Sequence, residues 1–497
     1  MGSFQAPRPS AVVATCIAAA VAIVVVVLFA AGFQLTRTIL TVSSDPLRDV
    51  DLHVLPSQTP SSGVAGMIAR GQRVNVLLLG YGGAGHDGAF LTDSLMVASI
   101  EPRTGTVALF SIPRDLWVTV PKSKYAGSFE AKINEAFAVA AAAGDRDEGM
   151  RVAASTIETV LGVPIDRTVA IDFRAFRTVV DALGGIDVTV DRSFTAMYPK
   201  NDDAAVDPSW IEISFKAGAQ HMDGETALRY ARARYSDGPE GNDFARAKRQ
   251  QKVILAAKDR VVSADAFTQL FGLLEALRDN VRTDLSLSDI KALASFARGY
   301  EDEKTARAAL STDNVLQAGY TAVTGYALWP KVEGWREVHA YAARAIEYSA
   351  SFSEDAAVAL RISAPRAAIG ALAVRRLADL GLRATLELVA DDDPERTIVI
   401  DAENGAADAT ARFLSSYFGD AAVTSASGPA RIEVRVGRDW IAPAEFSAPN
   451  ESPSAQPSST PAPPRTPAAP SEPMPLPVSS NGSHGFPVLS ARPTPKR

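Results

Sequence analysis

The residues best suited to chemistry are arginines and lysines concentrated between Gly224 and Gln251. Arginine presents paired N–H donors that match the oxygens of a phosphate or a carboxylate. The chain has a formal net charge of −7, so these cations predict a local site for an anion. A solvated basic surface or a nucleic-acid patch is the plainer interpretation. The basic residues of this segment are Arg229, Arg232, Arg234, Arg246, Lys248 and Arg249.

The spacing of these residues predicts which side chains lie together. If Ala227–Tyr235 is a strand with its two-residue period, Arg232 and Arg234 lie side by side on one face. If the chain from position 242 onward is helical, a stripe of polar residues runs along that helix. That stripe consists of Asp243, Arg246 and Gln250, with Arg249 beside it. A strand and a helix, both basic, would then hold one anionic ligand between them.

Three shorter motifs upstream could complete such a site. Asp93 precedes an apolar strand-like run, where a cap or a turn is the simpler role. Arg114 and Asp115 directly follow another such run, where ligands of layered α/β sheets commonly lie and where an ion pair could also cap the strand. Lys132 opens a predicted helix, whose N-terminus favours an anion.

Gly80–Gly85 (GYGGAG) has the form of a dinucleotide-binding fingerprint after a strand. That fingerprint needs a helix starting at its last glycine, and only HDGAFLTDS separates it from the next strand. The segment therefore predicts a glycine loop that closes over a ligand.

The bulk composition limits the class of protein. The 497 residues leave room for about three domains, and 47% hydrophobic with 22% charged residues is ordinary for a globular protein. A pI near 5.5 argues against a general nucleic-acid binder. Cys16 is the only cysteine, and the five histidines show no zinc-ligand spacing.

Residues 11–33 carry no charge over 23 positions. At about 1.5 Å per residue such a helix spans the ~30 Å hydrocarbon core of a bilayer. The sequence predicts a cytoplasmic head (1–10), a transmembrane helix (11–33), a stalk (34–70) and an extracytoplasmic bulk. Cleavage of a signal peptide near Ala30-Ala31-Gly32 is the alternative.

Alternating strand-like and helix-like segments predict a layered α/β domain over 71–345. Its predicted strands are Arg73–Gly80, Leu95–Ile100, Val107–Ile112, Thr168–Phe173, Ile186–Val190 and Ile211–Phe215. Its predicted helices are Glu130–Ala143, Gly149–Leu161, Asp243–Val262, Ala266–Leu277 and Ser288–Ala297. A βαββαβ pattern over 356–439 predicts a second small α/β domain. The Pro- and Ser-rich tail (447–497) predicts disorder.

Taken in order, the motifs LLLGYGG, LTDS, SIPRD, KINEAF, DGETALRYARAR and DFARAKRQQ resemble the LytR-CpsA-Psr family over about residues 73–262. The 356–439 region looks like the carboxy-terminal domain often attached to that family. The resemblance implies a layered α/β/α fold with a central mixed sheet. It also implies a membrane-anchored phosphotransferase that moves a glycopolymer from a polyprenyl-pyrophosphate donor to peptidoglycan.

The resemblance also implies roles by motif position. Asp93 would hold Mg²⁺ (or Mn²⁺), with Asp115 and Asp243 as orienting groups or base. The pyrophosphate would be bound by Arg114, Arg232, Arg234, Arg246 and Gln250, with Lys132 assisting; the basic cluster adds Arg249.

One position departs from the family pattern. The family often carries an acidic residue where this chain has Gly82. Asp87, in the same loop, could supply the second carboxylate for the metal. The polyprenyl chain would need an apolar groove, for which the candidates, all core residues by default, are Val160, Leu161, Phe173, Phe176, Val179 and Leu183.

Two other functions fit the same residues. A noncatalytic module could hold an anionic glycopolymer or lipid carrier with these arginines, and the glycine at position 82 favours it. A pyrophosphatase acting on the lipid carrier would use the same phosphate site.

Overall fold

The computed structural model describes residues 63–441, except for 87, 202–205, 234, 237, 242, 263–279, 299–304, 353, 355, 391–393, 403–404 and 427–430. Its strands are β1 (Val74–Tyr81), β2 (Thr92–Glu101), β3 (Thr106–Ile112), β4 (Trp117–Val120), β5 (Phe129–Lys132), β6 (Arg167–Asp172), β7 (Ile186–Val190), β8 (Phe194–Pro199), β9 (Trp210–Phe215), β10 (Gly218–Met222), β11 (Tyr235–Ser236), β12 (Val281–Thr283), β13 (Thr305–Ala309), β14 (Leu316–Thr321), β15 (Gly325–Pro330), β16 (Ala357–Ser363), β17 (Arg383–Val389), β18 (Ile398–Asp401), β19 (Ala422–Ser425) and β20 (Ile432–Arg435).

The α-helices are α1 (Gly63–Ala69), α2 (Glu135–Ala141), α3 (Arg146–Leu161), α4 (Phe173–Ala182), α5 (Gly224–Arg232), α6 (Asp243–Val262), α7 (Leu287–Arg298), α8 (Arg336–Ile346), α9 (Ala367–Asp379) and α10 (Asp408–Tyr417). Short 3₁₀ turns lie at Gly238–Glu240, Ser349–Phe352 and Ala364–Arg366.

A six-stranded mixed sheet lies at the centre of the fold, in the order β12-β6-β1-β2-β3-β13. Strand β1 runs parallel to β6 and antiparallel to β2, and β3 runs parallel to β13. The expected central mixed sheet is therefore confirmed. Both faces of β1 to β3 are buried, which explains their nearly continuous apolar sequences.

Helices cover both faces of this sheet. Leu77 and Phe110 face a core that includes residues of α2, α3 and α8. Val76 and Leu109 face a second core formed with α1, α4, α6 and α7. The arrangement is three-layered, and it brings the ends of β1, β2 and β3 next to α5 and α6.

A second sheet of five strands follows, in the order β17-β16-β20-β18-β19. Each of the six elements of the predicted βαββαβ pattern has a counterpart, namely β16, α9, β17, β18, α10 and β20, and β19 is additional. All four residues of β19 are exposed, so no apolar pattern in the sequence predicts this strand. Leu360 and Phe413 belong to the same continuous core as Phe110.

The predicted strand Ala227–Tyr235 is wrong, because the chain there forms helix α5 up to Arg232. Asp223 caps this helix by accepting a hydrogen bond from the Thr226 N–H at 2.7 Å. Glu225 and Arg229 form an i,i+4 ion pair at 2.8 Å along it. Arg232 is therefore the last residue of a helix and not part of a strand, and Arg234 lies outside the described residues.

The predicted helix Glu130–Ala143 begins too early. Strand β5 pairs with β4, placing Lys132 opposite Trp117, and helix α2 starts only at Glu135. Lys132 is therefore the last residue of a strand and does not lie at a helix N-terminus. A partner strand distant in sequence decides this local structure.

Part of the predicted stalk (34–70) is helical. Gly63–Ala69 form α1, whose Val64 is fully buried and whose Ala65 N–H donates to Asp289 at 2.8 Å. The predicted head, transmembrane helix, helix 266–277 and tail lie outside the described residues. Within residues 63–441 as described, no helix is both long and apolar enough to cross a membrane.

Candidate functional site

Asp93 lies at the centre of the candidate site, at the start of β2. Arg114 follows the antiparallel neighbour β3, and its Nη1 donates to Asp93 Oδ1. Burial, acting by itself, would raise the pKa of the Asp93 carboxyl. The charges of Arg114, Arg232 and Arg246 outweigh burial and hold the pKa below its ordinary value. Three predicted arginines therefore lie near this carboxylate.

Asp115 holds two of the predicted cations in place. Its buried carboxylate accepts from Lys132 Nζ at 2.9 Å, and Arg114 Nε lies 3.5 Å from its other oxygen. The pairing of β4 with β5 brings Lys132 to this point. Asn134 ties the same segment to β2, because its carbonyl accepts from the Thr92 N–H at 3.2 Å. Asp115 is placed to orient Arg114 and Lys132.

Helix α6 supplies Arg246 and Gln250, as the helical spacing predicts. Both line a small cavity with Asp93 and Pro113, and Arg246 is only 5% exposed. Ser94 Oγ donates to Gln250 Oε1 at 3.1 Å. The side chain of Asp243, on the same predicted stripe, lies outside what the structure describes.

Arg232 enters the site from the end of α5. Its guanidinium donates to the Tyr198 hydroxyl at 2.6 Å and meets His86 Nε2 at 2.8 Å. Its carbon Cζ lies 4.0 Å from the centre of the Phe173 ring, a cation–π contact. Helix α5 thus presents a guanidinium held on three sides.

An apolar cavity of about 110 Å³ opens beside these charges. Asp93, Ser94, Arg232 and Gln250 lie at its polar part. Most of its wall is apolar and is formed by Leu78, Val169, Ile171, Phe173, Phe176, Leu228, Val253 and Ile254. Phe173 and Phe176 were predicted as groove candidates; the other four candidates, Val160, Leu161, Val179 and Leu183, are buried in the sheet cores.

Arg249 does not join the other arginines. Its side chain is 3% exposed and donates to the carbonyls of Tyr230 and Glu240, each at 3.0 Å, and to that of Ala233. It also pairs with the Glu240 carboxylate at 2.8 Å. The structure thus places Arg249 in the packing between α5 and α6 and not at Asp93.

Sequence reasoning missed His86, Tyr198 and Asp172. Asp172 ends β6, caps α4 by accepting from the Ala175 N–H at 2.8 Å, and lines the apolar cavity. Burial raises the pKa of its carboxyl. A Cβ added at Gly83 would lie 2.8 Å from Asp172 Oδ2, so the glycine loop packs directly on it. Of these three residues, only Asp172 has a recognisable signal in the sequence, as an aspartate at the N-cap position before α4.

The Asp93 carboxylate supplies oxygen ligands, which suit a hard cation such as Mg²⁺. No group of three or more His, Cys, Asp or Glu side chains able to hold a metal occurs among the described residues. Asp87, the second predicted ligand, lies outside them. Mg²⁺ is commonly bound by one or two carboxylates with substrate phosphates and waters, so Asp93 fits as a single protein ligand.

A model of the LytR_cpsA_psr family matches residues 51–328, more than half of the 497 residues. The chain belongs to the LytR-CpsA-Psr family. The match ends before the five-stranded sheet. It includes the segments that carry Asp93, Arg114, Lys132, Arg232 and Gln250.

Two curated relatives illustrate the similarity. Polyisoprenyl-teichoic acid–peptidoglycan teichoic acid transferase TagV of Bacillus subtilis is 35% identical over 213 residues, which are 43% of this chain and 50% of TagV. The corresponding transferase TagU of Enterococcus faecalis is 33% identical over 223 residues, 44% of this chain and 64% of TagU. The chain thus aligns with between half and two thirds of each relative.

A solved structure is also similar. The crystal structure of B. subtilis TagV is 26% identical, with 56% of this chain and 98% of that chain covered, at a TM-score of 0.42.

Proposed function

We propose that this LytR-CpsA-Psr protein transfers an anionic glycopolymer from a polyprenyl-pyrophosphate carrier to peptidoglycan through a phosphodiester bond. The observation that carries the proposal is a single cavity that has a charged, polar part and an apolar part. Its polar part holds Asp93, Arg232 and Gln250, and its wall is apolar. A pyrophosphate joined to a polyprenyl chain has the same two parts.

In this reaction a hydroxyl oxygen of peptidoglycan attacks the phosphorus next to the glycan. A new P–O bond forms, the P–O bond to polyprenyl phosphate breaks and polyprenyl phosphate leaves. The hydroxyl proton passes to a general base, the role predicted for Asp115 or Asp243. Such a transfer depends mainly on positioning and on neutralising phosphate oxygens. Arg114, Arg232 and Arg246 supply that positive charge, and Asp115 orients Arg114 and Lys132.

Asp93, with Asp87 as the second predicted ligand, would hold the Mg²⁺ or Mn²⁺ ion. The bound metal would neutralise charge on the phosphate oxygens. Arg114 now hydrogen-bonds Asp93, so a phosphate arriving at Arg114 would compete for the guanidinium and leave the carboxylate available. We include in the proposal a membrane anchor at residues 11–33, an extracytoplasmic bulk, and a LytR-type carboxy-terminal domain at 356–439.

The test uses the full-length protein in detergent micelles, a polyprenyl-pyrophosphate donor with a labelled glycan, and peptidoglycan oligomers. Labelled glycan phosphate should appear on peptidoglycan with Mg²⁺ and should disappear with a chelator. Arg114→Ala and Arg232→Ala should each lower transfer by roughly 10²–10³-fold. Arg412→Ala, which removes a surface arginine that is 61% exposed on α10, is the matched control and should transfer normally.

Each other outcome selects a different function. Donor binding that survives chelation without any product would support a noncatalytic binding protein. Phosphate release that is unchanged when acceptor is added would support a pyrophosphatase. Full transfer by Arg114→Ala would contradict the assigned site.

A further inference from the structure

The imidazole of His86 fills the space beside Gly82. A Cβ added at Gly82 would lie 2.5 Å from both Cγ and Nδ1 of His86 and 2.8 Å from the His86 Cβ, so its three nearest atoms all belong to that side chain. Real Cβ atoms do not approach so closely. Gly82 lacks the left-handed backbone of Gly83 (φ 85°) and Gly85 (φ 82°). Position 82 is therefore restricted by the ring and not by its own backbone.

His86 reaches the site through this loop. The positive φ angles of Gly83 and Gly85 turn the chain back, so that the ring returns over Gly82 and packs edge-on against Phe173, with centroids 5.1 Å apart. Nε2 then lies 2.8 Å from Arg232 Nη2. A guanidinium has only donors, so Nε2 must accept this hydrogen bond.

The contact completes the support of Arg232. The Tyr198 hydroxyl accepts a hydrogen bond from Nη1, and His86 Nε2 accepts one from Nη2. The centre of the Phe173 ring lies 4.0 Å from the guanidinium carbon. The same Phe173 ring contacts both the imidazole and the guanidinium. Arg232 lines the cavity with Asp93, and its charge lowers the pKa of that carboxyl.

We propose that His86 is a positioning residue that holds the Arg232 guanidinium for the phosphate ligand, and that Gly82 is glycine to make room for it. The two residues act as one unit, because the His86 ring occupies the space that a side chain at position 82 would need. The inference rests on the proposed function only in taking pyrophosphate as the ligand.

The first test measures binding of inorganic pyrophosphate to the full-length protein by calorimetry, with thermal unfolding measured in parallel. His86→Ala should weaken binding roughly tenfold, because it removes a hydrogen bond to a charged group. His86→Gln keeps an acceptor oxygen and should restore most of the affinity. His221→Ala is the matched control, since its ring also lies against a glycine, Gly185, but on β10.

The second test separates positioning from general packing. Gly82→Ala should weaken pyrophosphate binding about as much as His86→Ala, because the new Cβ displaces the ring. In the His86→Ala background the added methyl group should have little further effect. In an Arg232→Ala background, His86→Ala should likewise add little, since contacting residues are not additive.

The outcomes distinguish this inference from the proposed function. Equal losses from Gly82→Ala with and without His86, or normal binding by His86→Ala, would overturn it. A protein that binds pyrophosphate with the expected ranking but transfers no glycan would leave the inference standing and remove the transferase. A wild-type protein that binds no pyrophosphate would remove the assigned phosphate site and this inference together.

Discussion

Arg232 and Arg249 belong to one basic segment of the sequence, yet they occupy opposite kinds of surroundings. Both guanidinium groups lie over aromatic rings, Arg232 over Phe173 at 4.0 Å and Arg249 over Phe194 at 5.0 Å. Arg249 is enclosed and gives its donors to three backbone carbonyls and to Glu240. Arg232 gives its donors to two side chains beside an open cavity.

The difference lies in what a ligand could displace. Backbone carbonyls of packed elements cannot move aside without loss of structure, so the Arg249 donors are committed to the fold. The hydroxyl of Tyr198 and the imidazole of His86 can exchange one hydrogen bond for another. A cluster of arginines in a sequence therefore holds both structural and ligand-binding members, and their hydrogen-bond acceptors separate them.

The largest expected effect is on stability, from Arg249→Met. The change leaves three carbonyls and the Glu240 carboxylate without their donor, and should lower the free energy of unfolding by about 3–5 kcal/mol. Denaturant unfolding measures this loss, with Lys248→Met, an exposed neighbour, as the control. Normal stability combined with lost pyrophosphate binding would place Arg249 in the site after all.

Arg232→Ala should show the reverse pattern. We expect kcat/KM for transfer to fall roughly 10²–10³-fold, as when one electrostatic donor to a transition state is removed. The free energy of unfolding should fall by only about 1 kcal/mol. Arg232→Lys should recover little activity, because an ammonium group cannot keep both hydrogen bonds and the ring contact. A large loss of stability in Arg232→Ala would erase the contrast with Arg249.

The sequence predicts the central sheet well, because β1, β2 and β3 are apolar on both faces and are bounded by turn residues. It fails at α5. The segment after Gly224 fits a two-residue alternation as well as a helical stripe, and the N-cap at Asp223 is the feature that favours the helix. Lys132 was misplaced because its strand exists only through pairing with β4.

The candidate site divides in the same way. The meeting of Asp93, Arg114 and Gln250 follows from ordered motifs and helical spacing. The burial of the Arg249 side chain depends on acceptors at Tyr230, Ala233 and Glu240, whose positions no spacing rule predicts. His86 and Tyr198 act as single side chains without a pattern, so nothing in the sequence marked them.

A smaller effect concerns the apolar wall of the cavity beside Arg232. Phe176→Ala removes one ring from that wall and should weaken binding of a polyprenyl-pyrophosphate donor about tenfold, by loss of apolar contact. Binding of inorganic pyrophosphate should stay unchanged, since it has no chain to bury. Equal weakening of both ligands would show that Phe176 supports the phosphate site and not the lipid chain.

The smallest expected effect is a pH dependence of stability at Asp93, and it tests whether the open region is electrostatically arranged for an anion. The pKa of the Asp93 carboxyl is lowered in the folded protein from an unfolded value of about 3.9, because nearby arginines outweigh burial. A lowered folded pKa stabilises the protein above the unfolded pKa, and this stabilisation is lost as pH falls through the folded pKa. The difference in unfolding free energy between wild type and Asp93→Asn should therefore be constant from about pH 5 to 8 and should shrink below about pH 4. A difference that changes in the opposite direction would mean that burial dominates at Asp93. The arginines would then be too weakly coupled to this carboxylate to act together on a phosphate, and the contrast with the buried Arg249 side chain would rest on exposure alone.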